Sequence, residues 1–327
     1  MFVLKSCMVH KLCRGNTGKN FLDLVLIFKS MRWILFLFHF CILTQLLAQK
    51  MDSLAVEHAV DSLNTISRKC IQTQEFDKGM ESNNRAMSIA LKNRGRLSSS
   101  YASCCFFKAK LFLYQGMYDD AEHWQLEYNS ILASLQGEEN ENYAWGLDDL
   151  GQLYEAMGKF DKSEKLHLKA IDIFKKIKGV RHPDYAWTLN DLGKLYRTMG
   201  AYEKAEPLYI EAKNIWENAL GKEHPDYAWS LNNLANLYNF MGSYEKAEPL
   251  LENAVSIWLK IYGEENAAYA SGLNNLAALY YNMGLYIRAE PLFKKSCELR
   301  EKLLGKNNPD YAGSLNNLAG VYMKIDS

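Results

Sequence analysis

Two copies of the tripeptide His-Pro-Asp are the residues of this sequence most suggestive of acid–base chemistry. They stand at His182–Asp184 and His224–Asp226, and a His close to a carboxylate is a pairing that general acid–base catalysis uses. The same turn recurs as Asn308–Asp310, without the imidazole. Catalysis needs its groups once, whereas a turn and a helix cap are needed in every repeat. We therefore predict a structural role, with Asp226 as a helix N-cap and Pro225 just outside the helix.

No other motif predicts catalysis, a cofactor or a metal. The sequence contains no HExxH, GxSxG or phosphate-binding glycine loop. Its seven cysteines form no C-x-x-C pair and do not follow the repeat described below. Cys104 and Cys105 are adjacent, and the alternative to a strained disulfide is two small apolar side chains on a helix, which we favour. The sequence predicts a protein that is not an enzyme.

The charge balance narrows the classes of partner. Thirty-eight basic residues cancel thirty-eight acidic ones, so no overall field favours nucleic acid or an anionic membrane. Aromatic residues are plentiful (20 Tyr, 14 Phe and 7 Trp) and only 6 prolines occur. This composition is typical of packed helices and unlike that of a disordered chain.

Residues 31–48 have the pattern of a secretory signal peptide. Arg32 supplies a positive charge, Trp33–Leu43 is apolar apart from one histidine, and Ala48 stands at the expected cleavage point. We therefore expect export to the periplasm or the exterior, with Gln49 as the first mature residue.

Residues 1–30 are a doubtful upstream extension, because a signal peptide begins its chain. The simplest explanation is that Met31 is the true initiator. The alternative joins Phe21–Phe28 and Trp33–Leu47 into one uncleaved membrane anchor, although Lys29 and Arg32 interrupt that stretch. A membrane contact is expected only through this segment, if at all.

A repeat with a period of about 42 residues dominates the rest of the chain. Four sets of positions keep this step: a tyrosine followed by alanine, two glycines and an aromatic residue. They are Tyr143, Tyr185, Tyr227, Tyr269 and Tyr311; Gly116, Gly158, Gly200, Gly242 and Gly284; Gly137, Gly179, Gly221, Gly263 and Gly305; and Phe76, Tyr118, Phe160, Tyr202, Tyr244 and Tyr286.

Each repeat predicts a helical hairpin. Leu231, Leu234, Ala235 and Tyr238 lie at spacings that form one apolar stripe of an α-helix. Glycines follow the first and second helices, where a left-handed residue is needed. A hairpin cannot bury its stripe alone, so neighbouring hairpins must stack. We predict an all-α fold, a right-handed superhelix of about six hairpins.

The spacing of Leu189, Leu192, Gly193, Tyr196, Ala205, Tyr209 and Ala212 resembles the tetratricopeptide repeat. Leu-Asn-Asn-Leu-Ala, Ala-Glu-Pro-Leu and His-Pro-Asp, recurring at the step just described, resemble the kinesin-light-chain type, and the nearer resemblance is to bacterial proteins with such repeats. It covers residues 59–327, with 49–142 as degenerate helices and 143–327 as the specific array. The first helix of a repeat at Gly313–Ile325 has no partner, which predicts a truncated array.

This resemblance implies a concave groove lined by the first helix of each hairpin, which binds an extended peptide or protein segment. On that helix, Trp229, Asn232, Asn236 and Asn239 form a second stripe, about 120° from the apolar one. The alternative for the tryptophans is packing between adjacent repeats. The groove candidates are Trp145, Asp148, Trp187, Asn190, Lys194, Arg197, Trp229, Asn232, Asn236, Asn239, Asn274 and Asn316.

A second polar row follows one residue later and is expected to act separately. It comprises Asp149, Asp191, Asn233, Asn275 and Asn317. Because these residues are rotated towards a neighbouring helix, we predict a hydrogen-bonded ladder between repeats. The first row is then free to bind a peptide backbone, since a side-chain amide offers both a donor and an acceptor.

The predicted function is therefore a protein- or peptide-binding scaffold with no small-molecule substrate. The rival is a structural or regulatory arm of a larger effector protein, whose effector domain is absent from this chain. A binding groove should present unsatisfied amides and aromatic side chains, whereas a spacer should keep its inner face short and bland.

Overall fold

The computed structural model describes residues 53–306 and 308–325. Within these ranges the chain forms thirteen α-helices and no strand. Helix α1 covers residues 53–73. It is followed by α2 (Phe76–Arg94), α3 (Ser99–Tyr114), α4 (Tyr118–Gln136), α5 (Glu141–Ala156), α6 (Phe160–Ile177), α7 (Pro183–Thr198), α8 (Tyr202–Leu220), α9 (Pro225–Phe240), α10 (Tyr244–Tyr262), α11 (Ala267–Asn282), α12 (Tyr286–Leu304) and α13 (Pro309–Ile325). The predicted all-α repeat fold is confirmed.

The extension at 1–30, the signal peptide at 31–48 and the mature start at Gln49 lie outside the described residues, and they stay predictions. None of the helices in the described part combines the length and the apolar character that crossing a membrane requires.

From Val60 onward the helices pack as a compact stack of hairpins. Each odd-numbered helix from α1 to α11, the first of its hairpin, packs on the even-numbered second helix that follows it. Each second helix also packs on the first helix of the next hairpin, from α2 against α3 to α12 against α13. One core runs through the stack from Val60 to Val321, and Trp216 and Trp258 are fully buried in it.

The repeated glycines lie where the sequence predicts them. Gly242 follows the first helix α9 with φ +72°, and Gly263 follows the second helix α10 with φ +76°. A side chain is disfavoured at such a backbone angle, and glycine is not. The glycines therefore recur with the period of the repeat because each repeat contains the same turns, and these turns need glycine.

Gln74 breaks this rule in the first hairpin, at the position one repeat before Gly116. It joins α1 to α2 with φ +59°, the one positive value among the described residues that are not glycine. A left-handed backbone costs a non-glycine residue about 1–2 kcal/mol, and glycine loses about 0.5–1 kcal/mol in chain entropy. We expect Gln74→Gly to raise the free energy of unfolding by about 0.5–1 kcal/mol, as measured by urea denaturation. Gln115→Gly, next to Gly116 in the second hairpin, has helical φ (−86°) and should lower it.

The N-cap of helix α9 is not Asp226, as the sequence analysis predicted. Helix α9 begins at Pro225, and His224 is its N-cap, because the His224 Nδ1 atom accepts a hydrogen bond from the Asp226 backbone N–H at 3.2 Å. His182 caps α7 in the same way. Asn308 Oδ1 accepts from the Asp310 N–H at 2.8 Å. The histidines are caps that an asparagine replaces elsewhere, which confirms their structural role.

Candidate functional site

The first helices of neighbouring hairpins lie side by side from α5 to α13. Their contacts with each other join positions about one repeat apart, at separations of 39 or 43 residues. Lys194 Nζ lies 3.4 Å from Glu155 Oε2, and the Arg197 guanidinium lies 5.3 Å from the centre of the Phe240 ring. Asn282 Nδ2 donates to Asn239 Oδ1 at 3.0 Å. These side chains mark one continuous surface on the first helices, which we call the groove face.

An amide ladder runs beneath the groove face. Its links join the second polar row of one repeat to the first polar row of the repeat before. Asn233 Nδ2 donates to Asn190 Oδ1 at 2.9 Å, Asn275 Nδ2 to Asn232 Oδ1 at 2.8 Å, and Asn317 Nδ2 to Asn274 Oδ1 at 3.1 Å. The ladder predicted for Asn233, Asn275 and Asn317 is confirmed.

The sequence analysis predicted that the first row is free to bind a peptide while the second row forms the ladder. The same bonds show that this prediction is wrong for Asn190 and Asn232. Asn190 and Asn232 are buried, with exposed fractions of 4% and 3%, and their oxygens accept from the next repeat. Asn232 Nδ2 also donates to Asn233 Oδ1 at 3.3 Å. Asn274 is half-buried and Asn316 is exposed. The closest approach of the first helices buries the first row, so in the middle of the array it forms the ladder together with the second row.

Carboxyl groups replace the amides in the ladder link between α5 and α7. The carboxyl groups of Asp148 and Asp191 face each other in this link. Gln152 Nε2 donates to Asp148 Oδ2 at 3.0 Å and to Asp191 Oδ2 at 3.1 Å. Asp148 is buried and also bonds the fully buried His167, whose Nδ1 lies 2.7 Å from Asp148 Oδ1. Asp148 is therefore part of a buried polar cluster and does not line the groove.

Sequence reasoning missed His167 because it lies on a second helix. A signal for it exists: the residues one, two and three repeats later are Tyr209, Leu251 and Phe293, all buried. A histidine in an otherwise aromatic or aliphatic column indicates a polar partner inside the core.

The three tryptophans are half-buried and pack within their own hairpins. Trp145 makes an edge contact with Phe174, Trp187 with Trp216, and Trp229 with Trp258, at centroid distances of 4.9, 5.0 and 4.8 Å. The structure thus supports packing inside a hairpin as their main role.

The accessible part of the groove face lies one turn further along the first helices. Lys194 and Phe240 are exposed, Phe240 to 60%, and Arg197, Asn236 and Asn239 are half-buried. Within the described part of the chain, the Asn236 amide has no hydrogen-bond partner. Of the predicted groove residues, Lys194, Arg197, Asn236 and Asn239 are brought together here on two adjacent helices.

The described residues contain no cluster that resembles a metal site, since no three His, Cys, Asp or Glu side chains converge on one point there. Cys104 and Cys105 are buried free thiols. Burial raises the pKa of Cys104 to about 11 and that of Cys105 to about 12, so neither is a reactive thiolate near neutral pH.

Known structures share this arrangement of helices. BtubC (BKLC) from P. vanneervenii is 20% identical, with a TM-score of 0.56 over 78% of this chain and 95% of that one. A putative kinesin light chain with nearly identical repeats, from Podosopora anserina, is 23% identical, with a TM-score of 0.50 over 59% and 92%. A Rap protein complexed with competence and sporulation factor is 14% identical, with a TM-score of 0.54 over 80% and 73%. At these identities the similarity shows the fold alone.

No curated protein sequence matches the chain. The tetratricopeptide repeat family model matches it five times in overlapping segments, at residues 101–176, 142–212, 196–260, 231–302 and 268–324. These segments cover the hairpins from α3 onward, with the glycine turns and the buried alanine and aromatic positions described above. The chain therefore belongs to the tetratricopeptide repeat family.

Proposed function

We propose that this protein is a non-enzymatic scaffold that binds an extended polypeptide segment along the groove face. The observation that carries the proposal is the row of accessible side chains on α7 and α9. Within the residues that the structure describes, the Asn236 amide and the Asn239 Nδ2 group have no hydrogen-bond partner, and Phe240 is exposed beside Arg197. Amides suit the alternating donors and acceptors of a peptide backbone, and an exposed aromatic ring suits an apolar side chain.

The Rap protein with a similar fold, complexed with competence and sporulation factor, is a precedent for binding by such an array. A structural or regulatory arm is the other candidate. Phe240 lies beside Arg197 and one residue after Asn239, so the same surface offers an apolar contact and backbone hydrogen bonds. This combination favours binding over a spacer.

The test uses peptides selected from a random library on the purified full chain. Replacing both Asn236 and Asn239 by alanine should weaken their binding at least about tenfold, or about 1.4 kcal/mol. The reason is that each lost amide–backbone hydrogen bond contributes about 0.5–1.5 kcal/mol net. Dissociation constants measured by calorimetry check this.

The matched control removes two amides from a second helix. Asn214 and Asn218 are exposed on α8 and line a separate open cavity of about 840 Å³. The double alanine variant at these positions should bind like the unaltered chain. Equal losses in both variants, or a loss in the control alone, would place the peptide site elsewhere.

A further inference from the structure

The ladder link between α5 and α7 differs chemically from the other links. The asparagine that donates at Asn233, Asn275 and Asn317 is replaced by Asp191, and its acceptor is another carboxyl group, Asp148. An amide carries its donor hydrogens at every pH, whereas two carboxyl groups can hydrogen-bond each other only when one of them holds a proton. Gln152 donates to both carboxyl groups, but a direct bond between Asp148 and Asp191 depends on a proton that the other links do not need.

The surroundings assign that proton to the carboxyl pair. The His167 Nε2 atom is buried without a hydrogen-bond partner and faces Gly151, where a Cβ atom would approach it to 2.9 Å. An N–H group at that atom would be buried unpaired, so the ring is neutral and donates through Nδ1 to Asp148. Asp148 thus accepts from His167 and Gln152, and the Asp191 carboxyl supplies the third donor.

The cations around the link are engaged with other groups. On α3, Lys110 Nζ lies 2.6 Å from Asp149 Oδ1, and on α7, Lys194 lies 3.4 Å from Glu155. The Arg197 guanidinium lies over the Phe240 ring of α9, 5.3 Å from its centre. Among the described residues, no cation is paired with Asp148 or Asp191. Two ionised carboxylates would therefore repel each other at a poorly hydrated contact.

We propose that the Asp148–Asp191 link is a proton-dependent joint between two hairpins: with its proton it holds α7 against α5, and without it the contact loosens. The inference rests on the packing of the helices and is independent of peptide binding, so either proposal can fail alone.

The direction of the pH effect follows from the groups in the cluster. Burial raises the pKa of Asp148 to about 7, and burial together with the neighbouring Asp148 raises the pKa of Asp191 well above its usual range. The folded chain therefore holds protons that the unfolded chain releases above about pH 4. This contribution to stability is fully present below about pH 4 and is lost as the pH rises from there through about 7. Burial lowers the pKa of His167, and that effect is opposite, since it removes stability as the pH falls through about 6.5.

The test replaces Asp191→Asn, which supplies the donor at every pH and reproduces the chemistry of the Asn233 link. Between about pH 5 and about pH 8, the Tm of the unaltered chain should fall by at least about 3 °C more than that of the variant. The control is Asp149→Asn, in the same row of the ladder. It removes a carboxylate that is paired with Lys110 and leaves both carboxyl groups of the link in place, so most of the fall of Tm with pH should remain.

A second measurement needs no substitution. In the full chain with ¹³C-labelled aspartate, NMR should show a carboxyl group that titrates above about pH 6, far from the usual value of about 3.9. That resonance should be missing or shifted to acidic pH in the Asp191→Asn variant. Parallel Tm curves for the variant and the unaltered chain, or aspartate titrations that all lie near the usual value, would overturn the proposal.

Discussion

Replacing Trp258 by alanine is expected to lower the free energy of unfolding by about 3–5 kcal/mol, the range found for large core side chains. Trp258 has no exposed surface. Its ring contacts Trp229 within its own hairpin and lies against Gly272 of the next hairpin, where a Cβ atom would come to 2.9 Å. The substitution therefore opens a cavity that both a hairpin and an interface between hairpins share. Urea denaturation followed by circular dichroism measures the loss.

The conservative variant Trp258→Phe is the matched control. Phe174 occupies the equivalent position two repeats earlier, where it packs against Trp145 and is fully buried. Phenylalanine is thus compatible with this place in the repeat, and we expect a loss of about 1–2 kcal/mol. If alanine and phenylalanine cost the same, the ring does not bridge the two hairpins as described.

We also predict which helices the Trp258→Ala substitution destabilises. In a repeat array each hairpin interacts with its neighbours alone, so stability is roughly a sum of repeat and interface contributions. Amide hydrogen exchange in the alanine variant should therefore accelerate most in α9, α10 and α11. Acceleration of the same size in α5 would indicate that the array unfolds as one unit.

The periodic parts of the sequence were sufficient to predict the fold. Gly242 and Gly263 recur because a backbone angle demands them, and the apolar stripe from Leu231 to Tyr238 recurs because each hairpin buries the same face. The glycine turn and the apolar stripe both depend on residues within one repeat, so a single repeat is enough to show them. The other repeats show the same pattern again. The cap was misplaced by two residues, because Pro225 is tolerated inside the first turn of a helix and the side chain that precedes it then becomes the cap.

The candidate site was predicted less well, because it depends on distances between helices. A helical wheel shows that Asn232 and Asn233 point in different directions, but it does not show how closely the next helix approaches. The bond from Asn275 to Asn232 crosses that gap and spans 43 positions of the chain. The Asp148 cluster needs three helices, and its trace in the sequence is a departure from the repeat, with Asp191 where later repeats have asparagine and His167 where they have Tyr209, Leu251 or Phe293.

Asn232→Ala is expected to destabilise the fold by about 1.5–3 kcal/mol, because it removes the acceptor of one ladder bond and the donor of the bond to its neighbour Asn233. Asn275 Nδ2 loses its partner at 2.8 Å, and Asn233 Oδ1 loses its partner at 3.3 Å. Asn232 is itself buried, so water can replace neither bond without entering the contact between α9 and α11.

Asn236→Ala, one turn along the same helix, removes an amide that has no partner in the described chain. It should change the free energy of unfolding by no more than about 0.5 kcal/mol. Urea denaturation of the two variants separates the ladder from the groove face. Equal stability of both variants, with peptide binding lost in Asn232→Ala alone, would return Asn232 to the binding row and contradict the ladder role assigned to it.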